Sequence, residues 1–310
     1  MIAQLPTVTL KDIPGDEATL AETIDQACRS FSTFLVDDPS LQRGLHASMR
    51  TVSTLFFALP KEDKLSLHRP GSGLGYLPER AENLAATNGI AAPPDPKETF
   101  NIGSDPSKNR WPVGPPQFED TFLLFYAAMA RISRQLMRLF SLALGMPANF
   151  LSGQSARGHS ILRATRYPAL ESNHLRKTQL RAGAHTDYGM FSLVLPDHEV
   201  GGFEIQPPGG DWIEVRPPEG LLAVNIGDLL MRWTNGVWPA TVHRVAAPEA
   251  YANRDRLSLV FLHNPSPDAV VAPLKEFLLA GERPRFEPVV TSDYLKDKST
   301  AALQQMEGVK

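Results

Sequence analysis

Residues 184–195 read AHTDYGMFSLVL, a short polar motif followed by a β-prone apolar run from Phe191 to Leu195. Similar runs, each bounded by turn residues, occur after residue 158. They lie at 160–167, 212–215, 221–225, 229–233 and 256–262. Several short strands at close spacing are typical of an antiparallel sandwich or barrel. The second half of the chain is therefore predicted to form a β-barrel.

The first half of the chain has a different pattern. Apolar residues recur at helical spacing over 16–31, 41–56 and 118–144, which predicts helices that each bury one face. The segment 69–116 is rich in Gly, Pro, Asn and Asp and is predicted to be a long irregular excursion. A polar helical pattern returns over 292–306. The predicted fold class is mainly β with flanking helices, with a helical N-terminal portion packed on the barrel.

Composition excludes several classes of protein. The chain has 310 residues, 42% of them hydrophobic, and a formal net charge of −3. A near-neutral chain without a Lys/Arg run lacks the basic face of a nucleic-acid-binding protein, so no nucleic-acid partner is expected. The apolar run at 121–130 is far shorter than the ~20 residues that span a bilayer, so no membrane association is expected. The N-terminal residues show no secretory signal, so the expected location is cytoplasmic.

Three residues form a candidate metal site. Because the chain has a single cysteine, Cys28, histidines and carboxylates must supply any metal ligands. His185 and Asp187 would face the same side of a strand, since they are two residues apart. His243 follows several predicted strands, and a barrel brings distant strand ends together. Two imidazoles and one carboxylate leave three octahedral positions open, as in non-haem Fe(II) sites that activate O2. The alternative interpretation is ordinary polar residues near a turn.

Arg256 and Ser258 form a second candidate site. They would also share one strand face, because they are two residues apart. A guanidinium matches the geometry of a carboxylate, and a neighbouring hydroxyl adds a hydrogen bond, so the pair is predicted to anchor a carboxylate. Arg254 is a competing candidate on the same face. An arginine at the rim of a sandwich strand is the alternative interpretation.

With these residues in this order, the sequence resembles the iron and 2-oxoglutarate dependent dioxygenases of the isopenicillin N synthase-like superfamily. The resemblance extends over most of the chain through motifs in family order. These are Phe56-Phe57, Leu59-Pro-Lys-Glu-Asp-Lys64, Gly75-Tyr76, Lys97-Glu-Thr-Phe100, Asn109-Arg-Trp-Pro112, Arg163 through Tyr167-Pro168, Gly201-Gly-Phe-Glu-Ile-Gln206, Asn225-Ile-Gly-Asp228 and Thr234-Asn-Gly236. Thr165 departs from the family, in which asparagine is common at that position.

The resemblance implies a fold and a division of the chain. Family members have a double-stranded β-helix, which is a jelly-roll barrel of the cupin type. Residues 158–290 would form this core, and residues 1–157 would form a helical or mixed N-terminal region packed on it. Residues 291–310 would form a C-terminal helix or lid.

The resemblance also implies an activity, cofactors and site residues. The implied cofactors are Fe(II), the cosubstrate 2-oxoglutarate and O2. The implied iron ligands are His185, Asp187 and His243. The residues implied for 2-oxoglutarate are Arg256, Ser258 and Tyr167. The implied reaction is oxidation of a small organic molecule by hydroxylation, desaturation or ring formation, with release of succinate and CO2.

Six residues are candidates for substrate contacts. Arg163 and Arg166 lie beside the Tyr167 motif on alternate faces of the strand, so one of them would point inward and pair with a substrate carboxylate or phosphate. Four more side chains are candidates to line the substrate pocket, with core packing as the alternative. They are Phe100, Trp233, Phe261 and His263.

Other functions remain open at this point. An iron oxidase that works without 2-oxoglutarate could use Arg256 and Ser258 to bind a substrate carboxylate. An ethylene-forming enzyme that fragments 2-oxoglutarate has the same motifs. A non-catalytic binding protein would keep the barrel and the metal. A zinc hydrolase also uses two histidines and an acid, but has no role for the Arg-x-Ser pair. The oligomeric state is left open.

Overall fold

A computed structural model of the chain describes residues 4–10, 16–41, 43–170, 180–278 and 281–303. The helices are α1 (Glu17–Phe31), α2 (Arg43–Phe57), α3 (Lys61–Leu65), α4 (Phe118–Ala143), α5 (Phe150–Gln154), α6 (Asp228–Trp233) and α7 (Thr291–Leu303). The first strands are β1 (Thr7–Thr9), β2 (Thr33–Asp37), β3 (Gly75–Leu77) and β4 (Glu98–Gly103). The later strands are β5 (Ile161–Tyr167), β6 (Leu180–His185), β7 (Phe191–Leu195), β8 (Phe203–Gln206), β9 (Ile213–Glu214), β10 (Leu222–Ile226), β11 (Val242–Ala246), β12 (Arg256–His263), β13 (Val270–Val271) and β14 (Val289–Val290).

Two sheets form the centre of the fold. The larger has eight strands in the order β1-β2-β10-β7-β12-β5-β4-β3, and the smaller has four in the order β6-β11-β8-β9. All of their pairings are antiparallel except that of β1 with β2. From β5 to β12 the strands lie alternately in the two sheets, except that β8 and β9 both lie in the smaller one, and among the described residues backbone hydrogen bonds do not join the sheets into a closed barrel. This arrangement confirms the mainly β, jelly-roll fold class.

Helix α4 covers the outer face of the larger sheet and packs against α1, α2 and β12. Phe122, Phe125, Met129 and Ile132 recur at three- and four-residue spacing along it and are buried, so one face of the helix joins the core. At its C-terminus Gly145 adopts a φ of +69°, and its N–H donates to the Leu142 carbonyl oxygen at 2.9 Å. Glycine adopts this left-handed conformation without steric cost. The helix predicted at 118–144 is confirmed.

One predicted strand is wrong, because residues 229–233 belong to helix α6. Strand β10 ends just before Gly227, which is still extended, and the chain then turns into the helix. The first-turn N–H groups of Asp228 and Leu229 donate to the carbonyl oxygens of Asp187 and Gly189, both at 2.9 Å. These contacts satisfy donors that a helix start leaves without intrahelical partners.

The segment predicted to be irregular at 69–116 contains β3 and β4, and β4 pairs with β5 in the larger sheet. Strand β2 was also not predicted. Strand β2 is buried along nearly its whole length, and its apolar residues run together without alternation. In β4, Phe100 and Ile102 do alternate with Thr99 and Asn101, but this short run lies in a segment rich in Gly and Pro. The N-terminal region therefore contributes strands as well as helices.

The C-terminal helix is present as predicted, as far as the structure describes it. Helix α7 ends at Leu303, and residues 304–306 of the prediction lie outside the described residues. Within the described ranges, no helix has both the length and the apolar character needed to cross a membrane.

Candidate metal centre

Strand pairing brings the two candidate histidines together. His185 is the last residue of β6, and it lies directly opposite His243 of β11 in the smaller sheet. Their ring centroids are 4.2 Å apart. Both side chains are buried, with exposed fractions of 8% and 6%. The pairing register alone therefore places two imidazoles side by side.

Asp187 reaches the same point by a different route from the one predicted. It lies beyond the end of β6, so strand alternation does not orient it. The turn that carries it is held against the start of α6, where the Gly227 N–H donates to the Met190 carbonyl oxygen at 2.7 Å. A Cβ on Gly227 would lie 2.3 Å from the Gly189 carbonyl oxygen. Only glycine at position 227 lets the two segments approach this closely.

The three side chains converge on a volume that suits one ion. Their candidate ligand atoms all lie within 4.8 Å of one another, and His243 Nε2 lies 3.9 Å from Asp187 Oδ2. The Ser192 hydroxyl donates to Asp187 Oδ2 at 2.5 Å. Two imidazole nitrogens and one carboxylate oxygen are a donor set suited to non-haem Fe(II).

The backbone fixes the orientation of both imidazole rings. His185 Nδ1 lies 2.7 Å from the Gly183 carbonyl oxygen, and His243 Nδ1 lies 3.0 Å from the Thr241 carbonyl oxygen. A proton on each Nδ1 would leave Nε2 with a free lone pair for a metal. Burial, with the neighbouring His243 and Lys97, holds the pKa of His185 well below its usual value. A neutral imidazole is the form that binds a metal.

A cavity of about 950 Å³ opens over these three residues. Strands from both sheets and helix α7 contribute to its wall. Lining residues include Arg163, Thr165, Tyr167, Ala182, Val194, Phe203, Val245, Ser258, Val260, Leu262, Leu295, Ser299 and Ala302. Both β5 and β12 face the cavity with every second residue, as a strand period of two requires.

Arg256 is buried beside this cavity, on β12, with an exposed fraction of 1%. Its Nε donates to the Gly201 carbonyl oxygen at 2.7 Å, and its Nη1 donates to the Ser258 hydroxyl. Among the described residues Nη2 has no hydrogen-bond partner, and no carboxylate forms an ion pair with the guanidinium. Burial lowers the pKa of Arg256 from its ordinary value. A buried cation with an unused N–H group fits an incoming carboxylate.

Tyr167 lies next to Arg256, whereas Arg254 does not. Tyr167 pairs with Arg256 in the strand register, and its ring centroid lies 5.1 Å from the guanidinium carbon. Arg254 instead is half exposed and donates to Glu199 at 3.0 Å. The structure therefore brings Arg256, Ser258 and Tyr167 together and leaves Arg254 outside.

The six predicted substrate residues separate into two groups. Arg163 lines the cavity. Arg166, on the opposite face of β5, pairs with Glu98 and Asp255 and does not line it. The other four side chains are core residues that do not line the cavity. They are Phe100, Trp233, Phe261 and His263.

Strand parity explains why Phe261 and His263 lie away from the cavity. Ser258 and the other even-numbered residues of β12 face inward, whereas the odd-numbered Phe261 and His263 lie on the opposite face, toward α4. His263 Nδ1 lies 2.9 Å from the Ser160 hydroxyl, its Nε2 lies 3.1 Å from Met137 Sδ, and burial lowers its pKa to about 4. Period-two counting from Arg256 could have assigned both residues to the core.

Two features of the cavity wall were not assigned to the site from the sequence. Glu82 and Lys97 are buried there in mutual contact, although they lie in a region predicted to be irregular and Lys97 was quoted only as part of a family motif. Helix α7 forms another wall, and its Tyr294 hydroxyl and Lys298 ammonium contact Asp228 Oδ2 at 2.7 and 3.2 Å. The sequence predicted a C-terminal helix or lid, but no pattern near Tyr294 or Lys298 indicated that these residues contact Asp228.

Comparison with known proteins gives consistent results. A family model described as the 2OG-Fe(II) oxygenase superfamily matches residues 158–265. A second model, described as the N-terminal part of a non-haem dioxygenase in morphine synthesis, matches residues 5–119. The two matched segments contain all the strands of the larger sheet and both histidines of the metal centre.

Individual relatives are similar over most of the chain. Homoarginine-6-hydroxylase 2-ODD-233 of Oryza sativa subsp. japonica is 32% identical over 91% of this chain and 89% of its own length. Validamycin A dioxygenase of Streptomyces hygroscopicus subsp. limoneus is 31% identical, over 84% and 75%. Full-length Neurospora crassa T7H, solved with alpha-KG and thymine, superposes with a TM-score of 0.84 at 28% identity and covers 96% of both chains.

Proposed function

Because the chain belongs to the 2OG-Fe(II) oxygenase superfamily, we propose specific roles for its buried polar residues. The protein is a 2-oxoglutarate-dependent Fe(II) dioxygenase of small molecules. His185, Asp187 and His243 hold the iron. Arg256 and Ser258, with Tyr167 beside them, bind the distal carboxylate of 2-oxoglutarate. With Fe(II) bound, the site supplies O2 activation coupled to decarboxylation of the cosubstrate.

One observation carries this proposal. A convergent set of two histidines and one aspartate faces the same cavity as Ser258 and Tyr167, beside a buried arginine with an unused N–H group. A metal site alone would need no such cation. A carboxylate anchor alone would need no histidine pair. Their combination fits a cosubstrate that chelates the metal at one end and carries a carboxylate at the other.

The protein's own contribution is orientation and shielding. The Gly183 and Thr241 carbonyl oxygens hold the histidine rings, and Ser192 holds the carboxylate of Asp187. The Ser258 hydroxyl accepts from Arg256, so its own proton remains available to a bound carboxylate. Apolar side chains cover the space next to the anchor and limit the access of water. They are Val194, Phe203, Val245 and Val260.

The substrate is proposed to be a small, polar organic molecule that is hydroxylated. Two relatives that are 31% and 32% identical to this chain are named for validamycin A and homoarginine, and a third, 28% identical, was solved with thymine. Arg163 is the proposed substrate-facing residue among the two candidate arginines, because it alone lines the cavity. Desaturation and ring formation use the same site. The oxidase without 2-oxoglutarate, the ethylene-forming enzyme, the binding protein and the zinc hydrolase gain no support from the comparisons.

Titration of the anaerobic Fe(II) protein with 2-oxoglutarate tests these assignments. Chelation of iron by the keto acid gives a weak visible charge-transfer band, which is expected to saturate in the wild type. Arg256→Ala should require roughly 10- to 100-fold more 2-oxoglutarate, because a charge-assisted hydrogen bond is lost. Arg254→Ala is the matched control and should titrate like the wild type. Equal titration of Arg256→Ala, or no band from iron-loaded wild type, would contradict the assignment.

Several further expectations remain predictions from the sequence. These are a cytoplasmic location, the absence of a nucleic-acid partner, and the division of the chain at residues 157 and 290. The proposed function requires none of them.

A further inference from the structure

A buried cluster of four charged side chains lies at the cavity wall, and three of them, Glu82, Lys97 and Arg163, line the cavity. The proposed function assigns the cluster no role toward iron or 2-oxoglutarate. Arg163 contacts both carboxylate oxygens of Glu82 at 3.0 and 3.1 Å. Lys97 Nζ lies 3.0 Å from Glu82 Oε2 and 3.6 Å from Asp95 Oδ2. Exposed fractions of the four side chains are 8% for Glu82, 3% for Lys97, 4% for Asp95 and 18% for Arg163.

The charges of this cluster cancel. Burial opposes ionisation of Glu82, but Arg163 and Lys97 overcome it and lower the pKa of Glu82 to about 2. Burial likewise opposes the charged form of Lys97, but Glu82 and Asp95 raise its pKa above the ordinary value. Asp95 also accepts hydrogen bonds from the Leu84 and Gly183 N–H groups, at 3.1 and 2.9 Å. Two cations and two anions therefore compensate one another.

Although its net charge is zero, the cluster has more N–H groups than it has hydrogen bonds within the protein. Arg163 has five N–H groups, of which one donates to Asn101 and two to Glu82. Lys97 has three N–H groups and two anionic neighbours. Both cations line the cavity. Their remaining hydrogens are available to a hydrogen-bond acceptor on a bound molecule.

This cluster contrasts with Arg256, which forms no ion pair with a described carboxylate and has an unused N–H group. An anion suits Arg256, because it supplies a direct ion-pair partner. The cluster is already neutral, so a substrate carboxylate placed beside Lys97 would give it a net charge of −1. An uncompensated buried charge of this kind costs free energy. Lys296 lies on the cavity wall too, but it is exposed, and water screens its charge.

We propose, building on the function proposed above, that the substrate binds Lys97 and Arg163 through an uncharged acceptor such as an amide, imide or lactam carbonyl. Its carbon skeleton lies along the apolar wall formed by Leu84, Ile161 and Leu295. The cluster thereby selects neutral substrates over carboxylic acids of the same shape.

Matched pairs of small probes test this proposal in the anaerobic Fe(II) protein loaded with 2-oxoglutarate. The pairs are benzamide and benzoate, cyclohexanecarboxamide and cyclohexanecarboxylate, and indole-3-carboxamide and indole-3-carboxylate. Binding is followed by the change in the charge-transfer band. The wild type should bind the amide of a pair roughly tenfold more tightly than the acid, given the cost of an uncompensated buried charge.

Changing the charge of the cluster should reverse this preference. Glu82→Gln leaves it with one net positive charge, so the carboxylate should become the tighter member of each pair. Glu62→Gln, at an exposed glutamate outside the cavity, is the matched control and should keep the wild-type preference. Thermal unfolding of each variant shows whether it is folded, and the wild-type preference alone tests the proposal if Glu82→Gln is not.

The outcomes separate the two proposals. Absence of a charge-transfer band with 2-oxoglutarate would contradict the proposed function. A normal band combined with equal binding of both members, tighter binding of acids, or binding of no probe would overturn the substrate inference and leave the cluster a structural ion-pair network. A folded Glu82→Gln protein that still prefers amides would overturn it as well.

Discussion

The two sheets contribute to the site in different ways. The smaller sheet supplies two metal-binding candidates through the register of β6 and β11, and a tightly held turn supplies the third. The larger sheet supplies Arg256 and Ser258 because alternate residues of β12 face inward. Strand register and a held turn thus position the candidate metal ligands, whereas the alternation of faces along β12 positions the proposed 2-oxoglutarate anchor. Loss of a metal ligand should strongly weaken iron binding and abolish turnover, whereas loss of Arg256 or Ser258 should weaken cosubstrate binding only.

The largest effect is expected on the metal side. Asp187→Ala removes one of three ligands, so iron affinity should fall by more than the roughly 10- to 100-fold that loss of an outer-sphere partner costs. Iron-dependent turnover should be abolished. Bound iron per protein and succinate formation measure both effects, with Asp211→Ala on an exposed loop as the control. Consumption of 2-oxoglutarate at the native rate by Asp187→Ala would refute the ligand assignment.

An intermediate effect, on the stability of the protein at low pH, is expected from His263 on the outer face of β12. Burial lowers the pKa of His263 to about 4, so the folded protein keeps this ring neutral while the unfolded chain takes up a proton near pH 6.5. The contribution of His263 to the free energy of unfolding is therefore fully present above pH 6.5. It is lost as the pH falls toward 4, by about 3 kcal/mol in total, because the unfolded chain binds a proton before the folded protein does.

Urea unfolding of the metal-free protein between pH 7 and 4 measures this loss. His263→Gln lowers stability at pH 7 but removes the proton uptake, so its curve should fall less steeply with decreasing pH than that of the wild type. Parallel curves for the two proteins would show that His263 does not titrate as its burial predicts.

The smallest effect compares the two faces of β12 directly. Ser258→Ala should raise the dissociation constant for 2-oxoglutarate roughly 2- to 10-fold, because one hydrogen bond to a carboxylate is lost. Leu259→Val, on the opposite face, should leave that constant unchanged and lower the free energy of unfolding by about 1 kcal/mol. The charge-transfer titration and urea unfolding measure the two quantities. A larger change in affinity for Leu259→Val than for Ser258→Ala would reverse the assignment of faces.

Local patterns were enough to predict much of this molecule. The helix at 118–144 and the strand at 191–195 follow from apolar periodicity, and residues two apart on β12 do share a face. The motif residues His185, Asp187 and His243 do converge. Periodicity failed at β2, which is almost entirely buried, and at β4, whose short alternating run lies in a segment rich in Gly and Pro. It also failed at α6, whose first turn is stabilised by carbonyl oxygens of another segment.

Long-range contacts were beyond the reach of sequence patterns. Glu82 lies far along the chain from its partner Arg163, and nothing near Glu82 marks it as part of a cavity wall. The orientation of Asp187 also depends on a distant element, since the start of α6 holds its turn in place. In both cases the deciding neighbour is set by the folded topology.

The order of these residues along the chain has a consequence for how such a protein can change over generations. The proposed contacts to iron and 2-oxoglutarate all lie between residues 167 and 258, whereas Glu82, Lys97 and helix α7 come from segments on either side of that stretch. Mutation of the flanking segments can therefore change the wall of the cavity without touching the groups proposed to bind iron and 2-oxoglutarate. A gene duplicate could acquire a new substrate while inheriting its chemistry intact.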